Sequence, residues 1–200
     1  MNLSDTLNSR INSLVSDAFS ELHPEKPFIP GETNIPVTGK VFGSEELLAA
    51  TKSSLDFWLT SGPRSEEFES RFAKKVGARH AFMVNSGSSA NLLALSSLTS
   101  PAHGDRALKP GDEVITVAAG FPTTVTPIIQ NGLLPVYVDV DPETYIAIDE
   151  QLEAAISPKS RAIMMAHTLG NPFNLDLVEK LAKKYNLWVI EDSCDALGGT

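Results

Sequence analysis

The chain has little of what would staple it, charge it for nucleic acid or bury it in a membrane. Its 200 residues include one cysteine, Cys194, so no internal disulfide framework can form and a reducing compartment is expected. Basic residues are outnumbered, 16 Lys+Arg against 25 Asp+Glu, for a formal net charge of −9. That balance disfavours nonspecific nucleic-acid binding, which needs clustered cations to displace counterions, and leaves room only for a local basic pocket. Long apolar runs are missing as well. The longest charge-free stretches, His80–Gly104 and Val114–Val138, are broken by Ser, Thr, Asn, Gly or Pro, with Pro122, Pro127 and Pro135 in the second. Neither reads as a membrane span, and MNLSDTLNSRINSL lacks the apolar core of a signal peptide. The expectation is a soluble cytoplasmic chain with no membrane or nucleic-acid partner. At 42% apolar and 20% charged residues it has too much apolar content for disorder and too few charges for a coiled coil.

What is present is ordered along the chain. Leu3, Leu7, Ile11, Leu14, Val15, Ala18, Phe19 and Leu22 recur at three- and four-residue steps, which predicts an amphipathic helix within 1–23. Residues 24–43 hold Pro24, Pro27, Pro30 and Pro36 with Gly31 and Gly39, and should run extended. Ser44 is a cap candidate for a helix to about Trp58, and Ser65 for another ending near Gly77. From residue 80 short β-rich runs begin: 81–84, 113–118, 135–140, 162–167 and 187–192. Helical segments are expected between them at 88–98, 123–131, 150–156 and 175–185, with Asp149 and Asn174 at N-cap positions. This alternation predicts a doubly wound α/β layer with a mostly parallel sheet.

Each chemistry-bearing motif falls at the carboxyl end of a different expected strand, where open α/β sheets bind ligands. Val84–Asn91 is a small-residue turn opening a helix, whose free amides could cradle a phosphate; in isolation an ordinary capped turn is the better explanation. It lacks the G-K-[ST] ending of a Walker loop and the dinucleotide pattern G-x-G-x-x-G. Phe121, after the next strand, could stack on a planar ligand or plug the core. Asp192, in Ile190-Glu191-Asp192, could hold a heterocyclic nitrogen protonated or serve as a cap. His167 precedes a Gly-Asn-Pro turn, where a histidine is more often structural than catalytic, and Cys194 alone is more often a small buried hydrophobe than a ligand.

Taken together, WLTSGPRSEEFESRFAKKVGARHAFMVNSGSSANLLAL, KPGDEVITVAAGFPTTV, PVYVDVDPETY, HTLGNP and LWVIEDSCDALGG resemble the sugar-aminotransferase branch of the pyridoxal-phosphate enzymes of aspartate-aminotransferase-like fold. Within it, TVAAGFPTTVTPIIQNG and EDSCDALGG are most similar to CDP-4-keto-6-deoxyglucose 3-dehydratases of O-antigen dideoxysugar synthesis. The resemblance implies a three-layer α/β/α large domain over 44–200, incomplete here and truncated before the Schiff-base position, preceded by an N-terminal helix. It implies that Gly87, Ser88 and Ser89 give amides to the cofactor phosphate, that Phe121 stacks on the ring, and that Asp192 binds the ring nitrogen. His167 matches an H-x-x-G position near the active site.

Asp195 stands where aminotransferases carry a glutamine that contacts the ring oxygen, which puts ordinary transamination in doubt. Cys194 matches one ligand of a [2Fe–2S] cluster whose other cysteines lie later in the dehydratase. The implied cofactors are pyridoxamine or pyridoxal phosphate and, in the intact enzyme, the cluster. The implied partners are a CDP-linked 4-keto-6-deoxy sugar, a flavin iron–sulfur reductase and a second copy in a homodimer. The base, a histidine replacing the aminotransferase lysine, is expected beyond Thr200, so the chain alone is expected to be inactive.

Overall fold

Residues 4–199 are described by the structure, a computed structural model. They divide into two compact units, one up to Ala81 and one from Phe82 onward. The first unit is helical. Helix α1 (Asp5–Leu22) is capped by Ser4, whose side chain accepts from the Leu7 N–H, so the apolar repeat produces its helix; Leu3 lies outside the described residues.

Helix α2 (Ser44–Asp56) starts one residue earlier than a Ser44 cap would allow. Gly43 is the N-cap, and the Glu46 carboxylate accepts the Gly43 N–H at 2.6 Å, which holds that carboxyl below its usual range. Helix α3 (Pro63–Val76) also starts early, because Pro63 fits the first helical position, where no N–H is needed. It stops at Gly77, whose φ of +70° suits the left-handed cap.

The second unit is a three-layer sandwich. Helix α4 (Gly87–Ser97) precedes strand β1 (Glu113–Val117), followed by α5 (Pro122–Gln130), β2 (Leu134–Val138), α6 (Asp149–Ala154), β3 (Ser160–Ala166), α7 (Leu175–Tyr185) and β4 (Trp188–Asp192). The sheet is entirely parallel, in the order β2-β1-β3-β4. Among the described residues it has four strands rather than the five expected, and residues 81–84 are not one of them.

Strand side chains alternate between the two faces. Ile115, Val117, Ile163 and Met165 pack with Leu152 of α6 and Val178 and Leu181 of α7. Val114, Ala162 and Met164 pack with Leu95 of α4 and Ile128 of α5. Both faces are thereby covered, as parallel sheets require. No helix among the described residues is long and apolar enough to cross a membrane.

Candidate active site

β1 and β3 are neighbours, yet the chain leaves β1 first for β2 on its far side. The winding direction therefore reverses between them, and a crevice opens beyond the strand ends at such a switch point. A cavity of about 270 Å³ lies there. Its wall is built from Gly87, Ser88 and Asn91 of α4, Phe121 and Thr123 after β1, Ala166 and His167 at the end of β3, and Asp192, Cys194 and Asp195 at the end of β4. Residues predicted from four separate motifs thus meet in one place.

Asp192 is aimed by strand periodicity. It shares a face of β4 with Trp188 and Ile190, which pack toward α4 and α5. From those helices Asn91 Nδ2 and Thr124 Oγ1 each donate to Asp192 Oδ2 at 2.8 Å, and the Cys194 N–H donates to Oδ1 at 3.2 Å. All three donors are neutral, and among the described residues no lysine or arginine forms an ion pair with Asp192. A part-buried carboxylate fixed by neutral donors keeps its charge for a cationic partner, such as a protonated ring nitrogen.

At the start of α4, Ser86 is the N-cap, and its Oγ accepts the Ser89 N–H at 3.1 Å. The Ser89 amide is therefore taken by the cap, whereas Gly87 and Ser88 face the cavity. A Cβ placed on Gly87 would meet nothing within 4 Å, so open space lies before this helix start. First-turn amides beside open space form an anion cradle. Phe121, the N-cap of α5 just before Pro122, is 68% exposed and offers a ring at the cavity wall.

His167 is buried at 5% exposure and stacks on Phe173, with centroids 4.3 Å apart and planes 12° apart. Its Nε2 lies 3.1 Å from Glu191 Oε2, its backbone N–H donates to the Asp192 carbonyl, and its Nδ1 is buried with no hydrogen-bond partner. Asp195 Oδ2 accepts the Leu169 N–H at 3.2 Å and so pins the turn after β3. Gly170, at φ +84°, lets that turn close: a Cβ there would stand 3.3 Å from the Asp195 carbonyl oxygen. The Cys194 thiol is free and exposed.

The cavity suits a phosphorylated, planar, cationic heterocycle: an amide cradle with space for an anion, an aromatic face, an uncompensated carboxylate and an orphaned buried nitrogen. An iron–sulfur cluster does not fit these residues alone. Such a cluster takes about four thiolates, the chain has one cysteine, and no group of three or more potential ligands exists among the described residues. Sequence reasoning missed Asn91, Thr124 and the pairing of Glu191. The available signal was Asn91, a polar residue one turn before Leu95 on the buried stripe of α4.

The fold is that of the pyridoxal-phosphate-dependent transferases, and residues 42–200 match the model of the DegT/DnrJ/EryC1/StrS aminotransferase family. The chain belongs to that family. It is 56% identical over 196 residues to the lipopolysaccharide biosynthesis protein RfbH of Salmonella typhimurium, covering 98% of this chain and 45% of that protein. It is 50% identical over 192 residues to the dTDP-4-dehydro-2,6-dideoxy-D-glucose 3-dehydratase of Saccharopolyspora spinosa, covering 96% of this chain and 41% of that one. A solved structure of E. coli GDP-4-keto-6-deoxy-D-mannose-3-dehydratase with bound hydrated PLP superposes with a TM-score of 0.76 at 36% identity, covering 84% of this chain and 42% of that one. The chain thus spans less than half the length of these relatives.

Proposed function

We propose that residues 44–200 form the first part of the large domain of a pyridoxamine-phosphate-dependent nucleotide-sugar 3-dehydratase. Its reaction removes the carbon-3 hydroxyl of a CDP-linked 4-keto-6-deoxy sugar, in the cytoplasm, toward lipopolysaccharide O-antigen dideoxysugars. The observation that carries this reading is Asp192, held by Asn91 and Thr124 at 2.8 Å in the same cavity as Gly87 and Phe121. The names of the relatives support the substrate class, since two of the three are sugar 3-dehydratases and the third serves lipopolysaccharide synthesis.

When bound, pyridoxamine phosphate supplies an amine that condenses with the sugar ketone and a ring that accepts electron density. The residues of this chain hold and orient it. Gly87 and Ser88 offer amides to its phosphate, and Phe121 excludes water from one ring face. Asp192 keeps a proton on the ring nitrogen. Asp195 holds the 168–170 turn against the cavity through the Leu169 N–H, and in doing so puts a carboxylate where aminotransferases place an amide.

Cys194, free and exposed beside this site, is proposed as one [2Fe–2S] ligand in a protein of the relatives' length. There a flavin iron–sulfur reductase would supply electrons and a second copy would complete a homodimer. These 200 residues, with one thiolate and less than half of the relatives' length, are expected not to turn over alone.

A PLP-dependent nucleotide-sugar aminotransferase is the second reading, favoured by the family's own description. Incubating the full-length protein with pyridoxamine phosphate, reductase and the CDP-4-keto-6-deoxy sugar separates the two. Replacement of the carbon-3 hydroxyl by hydrogen, a net loss of one oxygen after the reductase has supplied two electrons and two protons, supports dehydration, and gain of an amino group at carbon 4 contradicts it.

A further inference from the structure

Glu191 is not among the residues that line the cavity, yet its carboxylate touches a buried lining side chain that is left half-satisfied. His167 is buried, lines the cavity and carries its Nδ1 without a partner, while Nε2 faces Glu191 Oε2 at 3.1 Å. A carboxylate only accepts hydrogen bonds, so a neutral imidazole satisfies Glu191 only with its proton on Nε2. The other tautomer would oppose two lone pairs and bury an Nδ1–H with no acceptor. Orphaned buried donors are rarer and costlier than under-used acceptors.

Stacking and backbone ties hold the ring in this plane. It is stacked 4.3 Å from Phe173, and the His167 backbone is tied at both ends, its N–H to the Asp192 carbonyl and its carbonyl to the Gly170 N–H. Among the described residues, Glu191 forms no ion pair with any group other than His167. Its side chain is 45% exposed, so its charge stays solvated while one oxygen serves the histidine.

We propose that Glu191 is a positioning residue that fixes His167 as the Nε2–H tautomer. Nδ1 is thereby left as an acceptor, shielded from solvent in the free protein, for an N–H or O–H donor that a group bound in the cavity brings against it, a step that rests on the cofactor-site reading above. Adjacent acids then divide the work by strand alternation. Asp192 is held from α4 and α5, while Glu191 acts from the opposite face of β4 through the histidine at the end of β3.

Long-range proton–nitrogen spectra of the uniformly 15N-labelled chain, which also carries the amide signals, test this at mildly alkaline pH. His167→Gln identifies the His167 signals among the 4 histidines. The free protein should show a protonated Nε2 and an unprotonated Nδ1. Glu191→Leu should give interchanging tautomers, and Glu191→Gln, which keeps an acceptor oxygen, should restore the parent pattern in part. Added pyridoxamine phosphate should move the Nδ1 signal toward the protonated range and leave Nε2 nearly still.

A protonated Nδ1 in the free protein, or an unchanged tautomer in Glu191→Leu, overturns the role of Glu191. An Nδ1 that stays still while the Ser88 and Cys194 amides shift overturns the acceptor role. Should no amide respond to pyridoxamine phosphate, the cofactor reading and the acceptor role fail together, and the tautomer result alone then judges Glu191.

Discussion

Gly87 distinguishes a binding turn from a merely structural one. A Cβ there meets nothing within 4 Å, and its backbone is not left-handed, so Gly87→Ala should leave the fold intact and gain up to about 1 kcal/mol from reduced unfolded-state entropy. If the space before it receives a phosphate, the same methyl should weaken pyridoxamine phosphate binding by about tenfold, about 1.4 kcal/mol. Calorimetric titration with a parallel melting curve reads both effects, and unchanged binding would make the turn an ordinary cap. Asn91 and Thr124 test the carboxylate from behind. Asn91→Leu or Thr124→Val deletes a neutral donor to Asp192 Oδ2, a bond of the class worth about 1.5–3 kcal/mol, and should cost about tenfold or more in cofactor affinity. Asp192→Asn should abolish turnover of the full-length protein; retained activity would remove its assigned role. Of this group, Asp192, Gly87 and Phe121 were legible in the sequence because each ends a recognisable strand motif. Asn91 and Thr124 were not, because their partner lies 101 and 68 residues away and only the parallel register brings them together.

The strands and helices show the same division between local and long-range information. Helix α7 was expected at 175–185 with Asn174 as its cap and is found there, since the cap side chain, the apolar stripe and the left-handed stop at Asn186 are all local. The run at 81–84 has strand composition yet is not among the sheet strands of the described residues, since pairing is set by the fold and not by composition. Burial then ranks the strands. Ile115→Ala in central β1 removes a fully buried side chain and should cost about 2–5 kcal/mol, whereas Val189→Ala on edge strand β4, 37% exposed, should cost well under half as much in chemical denaturation. Helices α6 and α7 are tied by Lys184 Nζ, 2.7 Å from Glu153, which also accepts from the Tyr185 hydroxyl at 3.0 Å. The Lys184 bond first, then the Tyr185 bond, holds the Glu153 carboxyl below its usual range, and Glu153 in turn holds the Lys184 ammonium above its own. A lowered carboxyl contributes stability above its unfolded value, near 4.3, and loses it as the pH falls through the folded value. The melting temperature of Glu153→Gln should therefore trail the parent at neutral pH and low salt, and the gap should close in acid; a pH-independent gap would contradict the tie.

At the scale of the whole molecule, the chain carries a cofactor-shaped cavity on one parallel sheet and a first unit whose helices α1 and α2 hold no buried residue despite their apolar stripes. The homodimer proposed above is tested by sedimentation of the full-length protein, and a monomer would contradict it. Cys194→Ser in that protein should bleach the iron–sulfur absorption and leave pyridoxamine phosphate bound; a surviving chromophore would return Cys194 to a plain surface thiol. The lone cysteine is thus the feature whose meaning depends most on residues outside these 200, and for that reason the cluster could be read only through the family resemblance. The central claim is the removal of a carbon-3 hydroxyl on this site. Mass spectrometry of the CDP-4-keto-6-deoxy sugar after reaction with full-length protein, pyridoxamine phosphate and reductase tests it most directly. The expected product has hydrogen in place of the carbon-3 hydroxyl, lighter than the substrate by one oxygen once the reductase has supplied two electrons and two protons, and it is lost entirely in Asp192→Asn; a product carrying a new amino group, or a sugar returned unchanged by a cofactor-loaded protein, would overturn it.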